Sequence, residues 1–215
     1  MKQLSLRILK LIWGLFLFAL GVVLTIQANI GLAPWDAFSV GVSNITGITY
    51  GNVVILTGVG ILIFIVLLKE KIGLGTILNT VLIGAMSDIL LGLKIIPVMD
   101  NFFFGLIMLL VGQIVISFGS YFYIGQGLGS GPRDSLMIAL SKRLPNLSIG
   151  VIRGGIEGAA LIIGWLLGAK VGIGTIISVF GIGFIIQYTF KLLRFNVKAV
   201  KHDSLFDTAK SFANS

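Results

Sequence analysis

The chain has 215 residues, 56% of them hydrophobic and only 11% charged, with a net charge of +8 and a mean hydropathy of +1.06. Soluble domains carry roughly 25% charged residues, and a soluble core of this size could not hide so much apolar surface, so a protein solvated by lipid is indicated. Without cysteine, and with its one histidine, His202, in the polar tail, the chain has no disulfide, no thiolate chemistry and no histidine-based metal or catalytic base within the membrane, and no cofactor is expected.

The start, Met1-Lys2-Gln3-Leu4-Ser5-Leu6-Arg7, resembles a signal peptide, but no small-residue cleavage site closes the following apolar run before Gln27–Asn29. A retained first helix is expected. Six runs match the roughly 20 residues that cross a hydrocarbon core: Leu11–Ala28, Asn52–Leu68, Gly73–Leu93, Phe102–Ile124, Ile149–Gly168 and Gly172–Leu193. Gly31–Gly47 and Gly127–Leu144 are different. Each opens with glycines and a proline, and about a dozen helical residues rise only about 18 Å, too short to span. Half-helices are expected there, lying at the interface or dipping into the membrane. Their starts are Gly31 and Pro34, and Gly129, Gly131 and Pro132.

Basic residues set the orientation. Lys2, Arg7 and Lys10, then Lys69 and Lys71, then Arg133, Lys142, Arg143 and Arg153, and finally Lys191, Arg194, Lys198, Lys201 and Lys210 fall on one side of a six-span chain. The other side has Lys94 and Lys170, and Ile30–Leu68 has no basic residue. Both termini are therefore expected in the cytoplasm. The positive charge serves orientation and anionic headgroups, not nucleic acid.

The sequence repeats itself. Lys71-Ile72-Gly73-Leu74-Gly75-Thr76 returns ninety-nine positions later as Lys170-Val171-Gly172-Ile173-Gly174-Thr175. Pro34-Trp35-Asp36 corresponds to Pro132-Arg133-Asp134, and Gly14, Gly21 and Gly31 to Gly112, Gly119 and Gly129, at a spacing of ninety-eight. A single transmembrane domain, 1–215, is expected, with one repeat over 11–97, a second over 102–194 and a cytoplasmic tail, 195–215. Each unit has three crossings, so the second copy enters from the opposite side. The fold class is thus an all-α membrane bundle of two inverted three-helix repeats, each with a half-helix, an arrangement that recurs in transporters with a site at the repeat interface. A duplicated scaffold without transport is the plainer alternative.

Proline at a first helical position costs no hydrogen bond, and an aspartate in the first turn favours the positive helix end. Asp36 and Asp134 thus either stabilise two helix starts or mark starts whose free amides face a ligand. Asp36 has no basic residue near it in sequence, whereas Asp134 has Arg133, Lys142 and Arg143. Arg153 and Glu157, four apart in the fifth span, share a face and can pair. Charges at such depth face protein or water. Asp88 in the third span has no evident local partner, and Lys170 reads as a hairpin charge. Asp36, Asp134, Arg133, Arg153, Glu157 and Asp88 are the candidates for a solute or ion path. Gly154, Gly155, Gly158, Ala159, Gly164 and Gly168 read as close helix packing, and Tyr121, Tyr123, Trp165 and Tyr188 as interfacial anchors. No Gly-Lys-Ser/Thr loop for nucleotide phosphates is present.

Gly31–Asp36, Tyr50-Gly51, Gly129–Asp134, Arg153 with Glu157 and Gly172–Thr175 together resemble the YczE/YyaS/YitT group of bacterial integral membrane proteins, most of all its YczE branch, over Gly14 to Leu193. The resemblance implies a bacterial plasma membrane and gives no substrate. The expected function is transport or export of a small solute, its partners being the bilayer, the solute and a coupling ion. Arg153 and the helix starts suit an anionic or zwitterionic solute. The alternative is an accessory protein of another membrane complex. An enzyme is not expected, since no nucleophile–base signature is visible. The oligomeric state is left open.

Overall fold

The computed structural model describes residues 2–213. The order is α1 (Lys2–Gln27), α2 (Pro34–Thr46), α3 (Tyr50–Leu67), α4 (Leu74–Gly92), α5 (Phe102–Ile124), α6 (Pro132–Arg143), α7 (Ile149–Leu166), α8 (Ile173–Leu192) and α9 (Leu205–Ala213), with no strand among the described residues. Six of them, α1, α3, α4, α5, α7 and α8, are long and apolar enough to cross a membrane. Helices satisfy their backbone groups internally along the span, as a lipid-exposed segment requires. The half-helices α2 and α6 begin on Pro34 and Pro132, and α2 ends at Gly47 with a left-handed φ of 72°.

The first helix starts at Lys2, well before the expected Leu11. Its opening turns are too polar to count as a lipid-solvated run, yet they continue the helix, with Leu4 buried beside Leu128 and Arg7 engaged by the tail. The tail is likewise built in. Arg7 pairs with Asp203 at 2.8 Å and donates to the Gln126 carbonyl; the Asp203 amide reaches the Gly127 carbonyl at 2.7 Å, and the Leu205 amide the Ile72 carbonyl at 2.9 Å. The start of α1, the tail, the start of α4 and the end of α5 thus share one side of the bundle, here called the terminal side.

The centre of the bundle is the antiparallel pair α1 and α5. A β-carbon on Gly14 would lie 2.8 Å from the Gly119 carbonyl oxygen, one on Gly119 2.8 Å from that of Gly14, and one on Gly112 2.8 Å from that of Gly21. Only glycine lets the backbones come so near. Around this axis α4 packs on α1, α8 on α5, α2 on α7, and α6 on α3 and α7. The loops before the two half-helices make matching contacts. The Gly174 amide bonds the Ile30 carbonyl at 2.9 Å, and the Gly75 amide the Leu128 carbonyl at 2.6 Å. The next residue in each loop, Gly31 or Gly129, has a φ of 128°, which side chains rarely adopt.

The match breaks most clearly at one place. α3 lies along α4, with Gly51 on Gly84 and Gly58 on Thr80, but α7 does not pack along α8. This corrects the expectation for the α7 glycines. Gly164 does pack, on Ala37 of α2, but a β-carbon on Gly154, Gly155 or Gly158 would meet nothing within 4 Å, because no helix is seated on that face of α7. Tyr123 is not an interfacial anchor either. It is 3% exposed, with its hydroxyl against Gly131. Tyr121 stacks edge-on with Phe195 of the tail, while Trp165 and Tyr188 are exposed as anchors must be.

Gly119→Val drives two methyl groups into the α1 backbone and is expected to lower stability by about 1–3 kcal/mol or prevent folding. Gly183→Val, in open space, is expected to be close to neutral. Thermal unfolding of the detergent-purified variants measures both.

Candidate functional site

The loops that bond the starts of α8 and α4 place the tips of α2 and α6 against each other. Trp35 and Arg133 hold equivalent positions, each next to the proline that opens its half-helix, and they meet. The Arg133 guanidinium carbon stands 4.9 Å from the centre of a Trp35 ring. Such a cation–π contact is worth about 0.5–2 kcal/mol, more where water is excluded. Arg133 acts electrostatically on both aspartates, Asp36 in its partner half-helix and Asp134 in its own. Asp36 therefore does have a basic neighbour, ninety-seven positions away in sequence and supplied by the other half of the chain.

Asp36 is buried at 6% exposure and accepts a 2.8 Å hydrogen bond from the Tyr50 hydroxyl at the start of α3. On the opposite wall, Arg153 Nε donates to Glu157 Oε1 at 2.8 Å. Their side chains remain 58% and 25% exposed, so this i,i+4 pair adds little to stability. Glu157 is the ninth residue of the eighteen in α7, at the middle of that span. Trp35, Arg133, Asp134, Met137, Arg153, Ile156 and Glu157 surround a cavity of about 20 Å³. That is room for one water. Asp134 feels Arg153, Arg133 and Glu157, and also His202, whose imidazole partial burial in the tail holds below its ordinary pKa while Asp203 and Asp134 pull it back up.

Five of the six candidate residues thus gather at the meeting of α2, α6 and α7: Asp36, Arg133, Asp134, Arg153 and Glu157. Asp88 stands apart. Its carboxylate accepts from the Gly51 amide at 2.6 Å and from the Thr49 hydroxyl, capping α3 from the neighbouring α4. This gives it a structural task at a positive helix end. The half-helix starts Gly31, Pro34, Gly129, Gly131 and Pro132 bracket the cluster. Lys170 is more than a hairpin charge, since it donates to the Asn29 side chain at 2.8 Å. Trp35, Tyr50 and Tyr123 escaped the sequence reading of the site. The ninety-eight-residue spacing marks Trp35 as the counterpart of Arg133, and nothing local marks the two tyrosines.

The cluster holds three carboxylates and two guanidiniums, with the first-turn amides of two helices at its edge. Guanidiniums of this kind pair with anionic groups, and carboxylates exchange protons or pair with cations. Among the described residues no group of three His, Cys, Asp or Glu side chains is placed to hold a metal.

Tyr50→Phe leaves the buried Asp36 carboxylate short of a donor and is expected to cost about 1–3 kcal/mol. Asp88→Ala uncaps α3 at about 0.5–2 kcal/mol. Arg153→Gln, on an exposed pair, is expected to change stability by under about 1 kcal/mol. Chemical denaturation in mild detergent ranks the three.

Residues 5–191 match DUF6198, described as a family of unknown function. The chain is 34% identical over 178 residues to the Bacillus subtilis uncharacterized membrane protein YczE, covering 82% of this chain and 81% of that one. It is 31% identical over 183 residues to an uncharacterized protein of Haemophilus influenzae, covering 85% and 83%. To the uncharacterized protein YyaS of Bacillus subtilis it is 29% identical over 175 residues, covering 77% and 83%. No solved structure matches the chain. The resemblance to the YczE and YyaS proteins therefore holds over most of the length, and the chain is a multi-pass membrane protein that belongs to the DUF6198 family.

Proposed function

We propose that the protein carries a small solute across a bacterial plasma membrane, and that its site is the charged cluster between two halves inserted in opposite orientations. The observation that carries this reading is the meeting of the two half-helix tips, with Arg133 of one seated on Trp35 of the other beside Arg153 and Glu157 in the first half of α7. Charges at such depth are retained where they face a protein interior or an aqueous cavity and handle solutes or ions. Broken helices whose starts face a midplane site are a device of secondary transporters.

The contacts at the centre support the inverted arrangement. Gly14 and Gly112 are equivalents, as are Gly21 and Gly119, yet Gly14 touches Gly119 and Gly21 touches Gly112. Such crossed pairing is what a two-fold axis between α1 and α5 produces. The basic residues gathered on the terminal side support cytoplasmic termini. Arg133, Arg153 and the helix starts suit an anionic or zwitterionic solute, and Asp36, Asp134 and Glu157 are the groups available to couple its movement to a proton or cation.

Reconstitution into liposomes, with uptake measured over a panel of labelled amino acids, organic acids and inorganic anions, tests the reading. Uptake of at least one solute is expected, falling at least tenfold in Arg133→Ala and in the paired Arg153→Gln, Glu157→Gln variant. Undiminished uptake in both variants, or none of any solute by the unaltered protein, would overturn it.

A further inference from the structure

The two halves differ most in one helix pair, and the difference leads to the cluster. In the first half Gly51 of α3 rests on Gly84 of α4, and Ile55 packs over Gly84. Ninety-nine positions on, the equivalents are Gly150, Gly154 and Gly183. The small residues that permit the contact are present in the second half, but the contact is not made. A β-carbon at Gly150 would find nothing nearer than 4.0 Å, and at Gly154 or Gly183 nothing within 4 Å. A second observation concerns charge. Glu157 occupies the position of Gly58, which in the first half is pressed against Thr80. The Glu157 side chain is 25% exposed at the middle of a spanning helix, and Arg153, one turn nearer the terminal side, is 58% exposed. An exposed charge at the depth of Glu157 is costly in lipid, so this side of α7 is better solvated by water.

We infer that the space between α7 and α8 is a water-filled access route to the charged cluster, open toward the terminal side, while the equivalent route between α3 and α4 is shut. This inference rests on the transport reading for its purpose, though not for its geometry. α3 and α4 are held together by Asp88, which binds the Thr49 hydroxyl and the Gly51 amide across them. The corresponding residues are Ser148, which accepts from the Val151 amide of its own helix, and Gln187, an exposed amide in place of the carboxylate that binds across α3 and α4. A state with α7 closed on α8 and α3 parted from α4 would expose the cluster to the other side, and the small residues at 150, 154 and 183 make the first half of that exchange sterically feasible.

The chain contains no cysteine, so single cysteines can be read without background. Gly154→Cys and Gly183→Cys, both in open space, are compared in terminal-side-out vesicles with Ile162→Cys and Phe180→Cys on outward apolar faces and with Ile55→Cys in the shut pair. The probe is a small anionic methanethiosulfonate. Positions 154 and 183 are expected to react at least tenfold faster than 162, 180 and 55. Rates at 154 and 183 as slow as at 162 and 180 would place lipid between the helices and overturn the inference. A disulfide forming within the resting chain between cysteines at 154 and 183, or between two chains through 183, would overturn it as well, by placing α8 or a second copy in the gap. Labelling requires no substrate, so fast labelling without uptake of any solute would remove the transport reading and leave the crevice standing.

Discussion

The backbones of α1 and α5 touch at Gly14, Gly21, Gly112 and Gly119, and the positions of the remaining helices follow from that contact. In lipid there is little hydrophobic drive between helices, so association depends on close packing, and small residues give the closest. Once α1 and α5 are joined back to back, α4 lies on one and α8 on the other. The first residues of α4 and α8 then meet the loops that lead into α6 and α2, through the Gly75–Leu128 and Gly174–Ile30 backbone bonds. Those loops turn at Gly129 and Gly31 and aim two proline-started helices at each other. The Arg133–Trp35 stack is the end of that chain of causes.

The same chain of causes explains why charge is tolerated in the middle. Asp36 is enclosed but has Tyr50 as donor and Arg133 as counter-charge; Glu157 has Arg153. The partners of Asp36 come from other helices, so its charge is provided for only when the half-helices are seated, whereas the Arg153–Glu157 pair is internal to α7. A bundle needing nothing but stability would do as well with apolar side chains at these positions, since a paired buried charge seldom outperforms good packing. Their place at the junction of the two short helices, and not at the close-packed α1–α5 seam, is what a solute site asks for.

Much of this architecture is readable in the sequence because lipid imposes a simple rule on it. Long apolar runs mark the six spans, and Gly-Pro-Asp starts mark the two short helices, because a proline at N1 and a glycine before it have few other uses. The helical turns of Lys2–Lys10 escape a hydropathy reading, which stops where the polar residues begin, while the hydrogen bonds do not. The partner of Asp36 is invisible because Arg133 arrives from the other half, and no local pattern reports a contact ninety-seven residues distant. The α7 glycines mislead for a related reason. Small residues record that a helix can approach, but whether one has done so in a given state is a matter of tertiary structure. Asp88 shows the converse, a charge that looks like a path residue until its two donors on α3 come into view.

The central claim is that the two halves are inserted in opposite senses around α1 and α5. Single cysteines at the exposed residues Ile48 and Leu147, one position before the residues that cap α3 and α7, test it most directly when intact cells are treated with a membrane-impermeant thiol reagent. The account predicts that position 48 labels from outside and position 147 only after permeabilisation. Labelling of both from the same side would contradict it, because the halves would then run parallel and the two half-helix tips could not meet as described.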